Sequence, residues 1–199
     1  MPLKKVYRTG GKSYLASADF YDIVTNTTYK TFYLADLQTG NDATSYVLTT
    51  QTPFSTNGYS VVVNNTVEKN FDATFTIPLI IEGDMTFTVP AKMAGANPMT
   101  GVWTLQVYRV RNATEEAVGS KITWTRTDAS ADYVFSGSVT LPRTSFKKDD
   151  ILRVELTITS DTAGESVYMF YDPQNRTTVS GIATTRSQAS INLPVRIPE

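Results

Sequence analysis

Apolar side chains recur at every second position along most of this chain. Phe71, Ala73, Phe75, Ile77, Leu79 and Ile81 alternate with Asp72, Thr74, Thr76, Pro78 and Ile80, the two-residue period of a strand that buries one face. Pro78 has no N–H for a ladder, so it predicts a sheet edge, a bulge or a break into two strands. The same period returns in Met85, Phe87 and Val89; in Trp103, Leu105 and Val107; in Ile122 and Trp124; and in Tyr133, Phe135, Val139 and Leu141. Leu152, Val154, Leu156 and Ile158 then alternate with Arg153, Glu155, Thr157 and Thr159, and Ile191, Leu193, Val195 and Ile197 end the series. Half-buried antiparallel strands read in this way. Turn residues between the sets predict hairpins. Glu82-Gly83-Asp84 reads as a tight turn, Asn112 to Gly119 as a connection, Asp128 to Asp132 as a loop, and Pro142 to Asp150 as a passage to Ile151. Beyond residue 70 no window sustains the helical spacing of apolar residues, so little helix is expected.

The first 69 residues are less regular. Phe32 with Leu34, Tyr46 with Leu48, and Tyr59 with Val61 and Val63 mark three further strands, separated by loops around Thr39-Gly40-Asn41-Asp42 and Thr52-Pro53-Phe54. Residues 1–13, with Lys4, Lys5, Arg8 and Lys12 and no acid before Asp19, form a basic leader expected to be frayed. No composition shift or repeat divides the remainder, so residues 14–199 are expected to be one domain. The expected fold is all-β: an antiparallel β-sandwich, jelly-roll-like, with little helix.

Composition narrows the chemistry. The 199 residues include no Cys and no His. Disulfides, zinc ribbons and thiol nucleophiles are thereby excluded from this chain, as are all Ser-His-Asp arrangements. The 18 basic and 19 acidic residues leave a formal charge of -1, too balanced to suggest a nucleic-acid partner. Ile77 to Ile81 is the longest apolar run and far too short to span a bilayer as a helix, and no signal-peptide core follows the basic leader. No phosphate-binding glycine motif or calcium-loop spacing is present. Glu155 reads as half of a cross-strand ion pair beside Arg153, and Glu115-Glu116 and Asp149-Asp150 as turn acids. No enzyme, cofactor or metal is expected.

The aromatic residues point instead to contact surface. Seven of the eleven tyrosines, Tyr7, Tyr14, Tyr21, Tyr29, Tyr33, Tyr46 and Tyr59, fall in the first 59 residues, and tyrosine suits half-wet interfaces. Val167, Met169 and Tyr171 share one face of a strand while Tyr168 and Phe170 share the other. That strand needs cover on both sides, either from the irregular first third of the chain or from a neighbouring subunit. Tyr29, Tyr33, Tyr46, Tyr168 and Phe170 are therefore the candidate protein-interface residues.

The stretches Trp103 to Arg111, Thr114-Glu115-Glu116, Ser120-Lys121-Ile122 and Thr140 to Leu156, with Ala18 to Ile23 and Tyr171 to Arg176, resemble virion structural proteins of tailed bacteriophages. The resemblance implies a non-enzymatic subunit that binds the capsid as a decoration, minor capsid or auxiliary protein. Its implied partners are the major capsid or other virion proteins and further copies of itself. Its implied place is the virion, after assembly in the host cytoplasm, with no membrane association. The competing expectation is a carbohydrate-binding sandwich of a tail fibre or adhesin. In that reading exposed Tyr or Trp rings stack on sugars; it gains if Trp103 or Trp124 is exposed in a groove beside carboxylates or Asn, whereas both occupy apolar positions expected to be buried.

Overall fold

The computed structural model describes residues 28–37, 45–50, 59–62, 65–161, 165–171 and 188–197, with the backbone alone at 36–37, 45 and 59–62. Ten strands run in chain order: β1 (Thr28–Leu37), β2 (Ser45–Thr49), β3 (Tyr59–Val62), β4 (Thr66–Thr74), β5 (Leu79–Arg111), β6 (Thr114–Ala117), β7 (Ile122–Phe146), β8 (Ile151–Ser160), β9 (Ser166–Phe170) and β10 (Ser190–Arg196). The protein is all-β, with no helix among the described residues, and so none there is long and apolar enough to cross a membrane. The leader at 1–13 and the loops at 39–42 and 52–54 lie outside the described residues.

Strand β5 organises the sheet. Its first part, Ile80 to Thr88, pairs with β10; Ala91 to Ala94 pairs with β9; and Gly101 to Val110 pairs with β8. Pairings β10–β1–β2–β4–β8 then lead from one end of β5 to the other and close a ring of six strands. The layers expected as separate sheets are thus one hydrogen-bonded surface that returns on itself. Every pairing is antiparallel except β2–β4, a parallel contact made at the single bridge Val47↔Asp72. That contact is the thinnest seam of the ring.

Several expected turns prove to be irregularities inside long strands. The run containing Pro78 is broken, with β4 ending at Thr74 and β5 starting at Leu79 just after the proline. Glu82-Gly83-Asp84 is not a turn. The chain passes through it as a bulge, where the register against β7 shifts between Ile81 and Gly83 and Gly83 takes φ 120, a value open to glycine because it has no Cβ. Nor does Asp128 to Asp132 form a loop, because β7 continues through it opposite a wider bulge of β5 between Ala94 and Met99. The true hairpin turn in the next connection is Asn112-Ala113, with φ 50 and 62, a two-residue primed turn that starts β6 directly.

An acid holds the wide bulge. The buried Glu165 carboxylate accepts from the backbone N–H of Ala96 at 3.0 Å and of Asn97 at 3.2 Å, and from Asn97 Nδ2 at 3.2 Å. Gly95 lies against that carboxylate so closely that a Cβ there would collide with it. The side chain therefore supplies the acceptors that the missing ladder would have supplied.

Inside the ring, alternate residues of every long strand form one core that includes Phe71, Met85, Trp103, Leu105, Phe146, Leu152, Val154 and Ile191. Trp103 is buried, and its Nε1 donates to the Tyr168 carbonyl at 3.1 Å. Its ring leans on Phe135, which stacks on Trp124 at 5.1 Å.

Glu165→Ala should strand two backbone donors at the bulge. It is expected to cost roughly 2–3 kcal/mol, read as a lower urea midpoint at unchanged slope.

Candidate functional site

An open groove of about 830 Å³ lies where five strand ends meet. Its lining comes from the start of β1 (Thr28, Tyr29, Lys30, Phe32), the end of β2 (Leu48 to Thr50), the passage from β4 into β5 (Ala73 to Ile77, Leu79), and the end of β10 (Val195 to Ile197). The location follows from the pairing. Past the single Val47↔Asp72 bridge, β2 and β4 share no further rungs, and the residues just beyond that bridge on both strands line the opening. Pro78 contributes by ending the alternation before Ile77 can be carried into a ladder.

The chemistry of the groove is one-sided. Four large hydrophobic residues stand well exposed among the described residues: Tyr29, Ile77, Val134 and Ile197. Three of them, all but Val134, rim this groove. Among the described residues its polar lining is mainly threonine hydroxyls, its two charged residues are Lys30 and Arg196, and none is a carboxylate. Lys30 Nζ sits 5.5 Å from the Phe32 ring centroid, and Arg196 is paired with Glu82, as is Arg143 at 3.5 Å. Apolar side chains and threonine hydroxyls therefore make up most of the described lining.

The five candidate interface residues separate in the structure. Tyr29 is 58% exposed and lies in the groove. Tyr33 is half-buried on β1. Tyr46 is half-buried and packs edge-on against Phe71 and Tyr171, with centroids at 5.4 and 5.8 Å and Lys69 Nζ above its ring at 4.4 Å. Tyr168 and Phe170 are buried, at 7% and 2% exposure, with parallel rings 6.0 Å apart and Ala94 packed against them. The second face of β9 is thus covered within the chain, which removes these two residues from the open surface. Ile77 and Ile197 had been assigned to buried faces by their period. Both lie where a strand ends, and alternation says nothing about where the neighbouring strand stops.

Other charged clusters act as fasteners. Asp150, which had read as a turn acid, is 4% exposed. It receives Arg111 Nε at 2.9 Å and Nη2 at 2.5 Å, together with the Lys147 backbone N–H at 2.7 Å. It therefore closes the β7–β8 turn, where Asp149 takes φ 70, and pins that turn to the end of β5. The Arg111 guanidinium, with the Lys147 amide, holds the Asp150 carboxyl below its ordinary range despite burial. Across the sheet Arg153 grips Asp72 through Nε at 2.7 Å and Nη2 at 2.6 Å, and also reaches Glu115. These acids keep its pKa raised. Glu155, expected in a cross-strand ion pair on a solvated face beside Arg153, is buried and pairs with Lys121 at 3.6 Å. Tyr108 is raised above its usual value, by burial first and by Glu155 second. Among the described residues no group of three or more acids is placed to hold a metal.

No family model matches the chain, and no curated protein matches it. Solved structures do share the fold. A CocE/NonD family hydrolase from Staphylococcus aureus is 10% identical, with a TM-score of 0.51 over 85% of this chain and 37% of its own. An α-amino acid ester hydrolase is 14% identical, with a TM-score of 0.54 over 85% of this chain and 36% of its own. An aminopeptidase from a marine sediment archaeon, Thaumarchaeota archaeon, is 8% identical, with a TM-score of 0.50 over 87% and 37%. At such identities the likeness is one of fold alone, and the chain spans little more than a third of the length of each of these proteins.

Asp150 generates a pH prediction. Its carboxyl is depressed in the folded state, so the stability it contributes is fully present above the unfolded carboxylate range and is lost as pH falls through the lower folded value. Asp150→Asn should cost roughly 1.5–3 kcal/mol at neutral pH and flatten the acid limb of stability against pH, measured by urea titration between about pH 2 and pH 7.

Proposed function

We propose that this chain is a non-enzymatic virion structural protein that docks on neighbouring proteins of a virus particle, as a capsid decoration, minor capsid or auxiliary subunit. In this reading the ring of strands serves as a jelly-roll-like sandwich, and the groove of Tyr29, Ile77 and Ile197 is its contact surface. The observation that carries the reading is the concentration of exposed large hydrophobic residues at one groove. Exposed apolar area gathered in one place marks a binding surface, whereas single scattered residues do not. The assignment to a virus particle comes from the sequence resemblance to tailed-phage virion proteins.

The alternatives lack comparable support. For a sugar-binding platform the groove offers one exposed ring, Tyr29, whereas Trp103 is buried, Trp124 is half-buried between Phe87 and Phe135, and neither lines the groove. The hydrolase names of the structural neighbours offer no mechanism here, because a Ser-His-Asp arrangement cannot be assembled from a chain without His.

The test is co-sedimentation of the purified chain with particles of its cognate major capsid protein. Saturable binding is expected, weakened at least tenfold by Ile77→Asp while the denaturation midpoint moves by no more than about 0.5 kcal/mol equivalent. A chain that stays in the supernatant, or that binds equally well with the aspartate, defeats the reading, as does turnover of simple ester substrates above the buffer rate.

A further inference from the structure

Val134, the exposed hydrophobic residue outside the groove, lies on β7, and among the described residues one side of β7 is unpaired. Among the described residues its only partner is β5, along nearly its whole length. Strands with an open edge usually carry lysines, prolines or bulges that discourage pairing. From residue 122 to Leu141, β7 has no lysine and no proline, and its charges there are Arg126, Asp128 and Asp132. The wide bulge opposite this segment, between Ala94 and Met99, places its extra residues on β5, while the extra residue at the other register shift lies on β7 beyond Leu141, between it and Thr144.

The direction of the backbone groups follows from Pro90. Val134 stands opposite Pro90 in the ladder. Because proline has no N–H, this rung is of the type in which the two residues do not bond each other. Pro90 also falls in the gap between the rungs of β5 with β10 and those with β9, where no donor is required of it. The N–H and C=O of Val134, and by alternation those of Asp132 and Ser136, therefore point away from β5 to the open edge.

We infer that β7 pairs antiparallel with β7 of a second copy, about a two-fold axis at Val134. In this register the two Val134 residues exchange both of their backbone hydrogen bonds. Asp132 faces Ser136, Ser130 faces Ser138, and Tyr133 faces Phe135 of the other copy. No like charges meet, and an aromatic cross-strand pair forms on either side of the axis. The negative charge of Asp132 is further offset by Lys92 of its own chain at 3.9 Å. The second copy is the committed partner because this segment is complementary to itself when reversed. The surface is separate from the groove, and neither proposal depends on the other.

Sedimentation equilibrium of the full chain up to about 1 mM, where an association of roughly 4 kcal/mol is half complete, should show the mass rising from 22.0 kDa toward twice that value. Hydrogen exchange at Asp132, Val134 and Ser136 should slow with concentration while that at Tyr133 and Phe135 stays constant. Val134→Lys and Val134→Glu should each raise the dissociation constant at least tenfold by placing like charges on the axis. An equimolar mixture of the two should recover association, and Ile77→Asp should leave it intact. A chain that is monomeric throughout, a dimer indifferent to both charged variants, or a mixture that fails to recover would overturn the inference.

Discussion

A strand of 33 residues cannot remain straight in a domain of this size. At about 3.3 Å per residue β5 would extend for roughly 110 Å, whereas a compact chain of 199 residues has a radius of gyration near 16 Å. The fold therefore depends on how β5 bends. The widest interruption of its ladder with β7 lies between Ala94 and Met99, where Glu165 satisfies the amides set free. Once bent, β5 offers one edge to β10, β9 and β8 in succession, and the remaining strands connect its two arms into a ring.

Closing that ring creates both the core and the groove. Antiparallel pairing over the full length of β4 and β8 leaves no space between them, while the parallel contact of β2 and β4 is a single rung. The seam opens at its end, and the side chains at the strand termini remain in water. Around it the ion pairs do mechanical work: Arg111 with Asp150 and Arg153 with Asp72 tie turn to strand and strand to strand. Of the acids read from the sequence as candidates, Asp150, Glu115 and Glu116 are paired with arginine and Glu155 with Lys121, and none of them is among the described residues of the open groove.

The two surfaces proposed for contact differ in kind. The groove presents apolar side chains and threonine hydroxyls, and its specificity would come from shape and from two cations. The β7 edge presents backbone donors and acceptors, and its specificity would come from register. A subunit with one surface of each kind can bind a neighbour of different sequence and a copy of itself at once, an arrangement suited to a repeating particle.

The sequence by itself determined the all-β class, because a period of two cannot bury a helix face. It also determined which residues enter the core of β4, β8 and β10, and the absence of imidazole and thiol chemistry. Pro78 was legible as a break, and Tyr29 was singled out by residue type. Other features were settled only in three dimensions. Gly83 and Asp128 to Asp132 carry turn residues yet lie within strands, because a bulge and a turn use the same residues and only the pairing partner distinguishes them. Asp150 and Glu165 look like surface acids until Arg111 and the amides of Ala96 and Asn97 are brought beside them from distant strands. Ile77 and Ile197 keep the period of buried residues but emerge at strand ends. Alternation records which face a residue occupies, while exposure depends on how far the neighbouring strand extends, and that is a property of the assembled sheet.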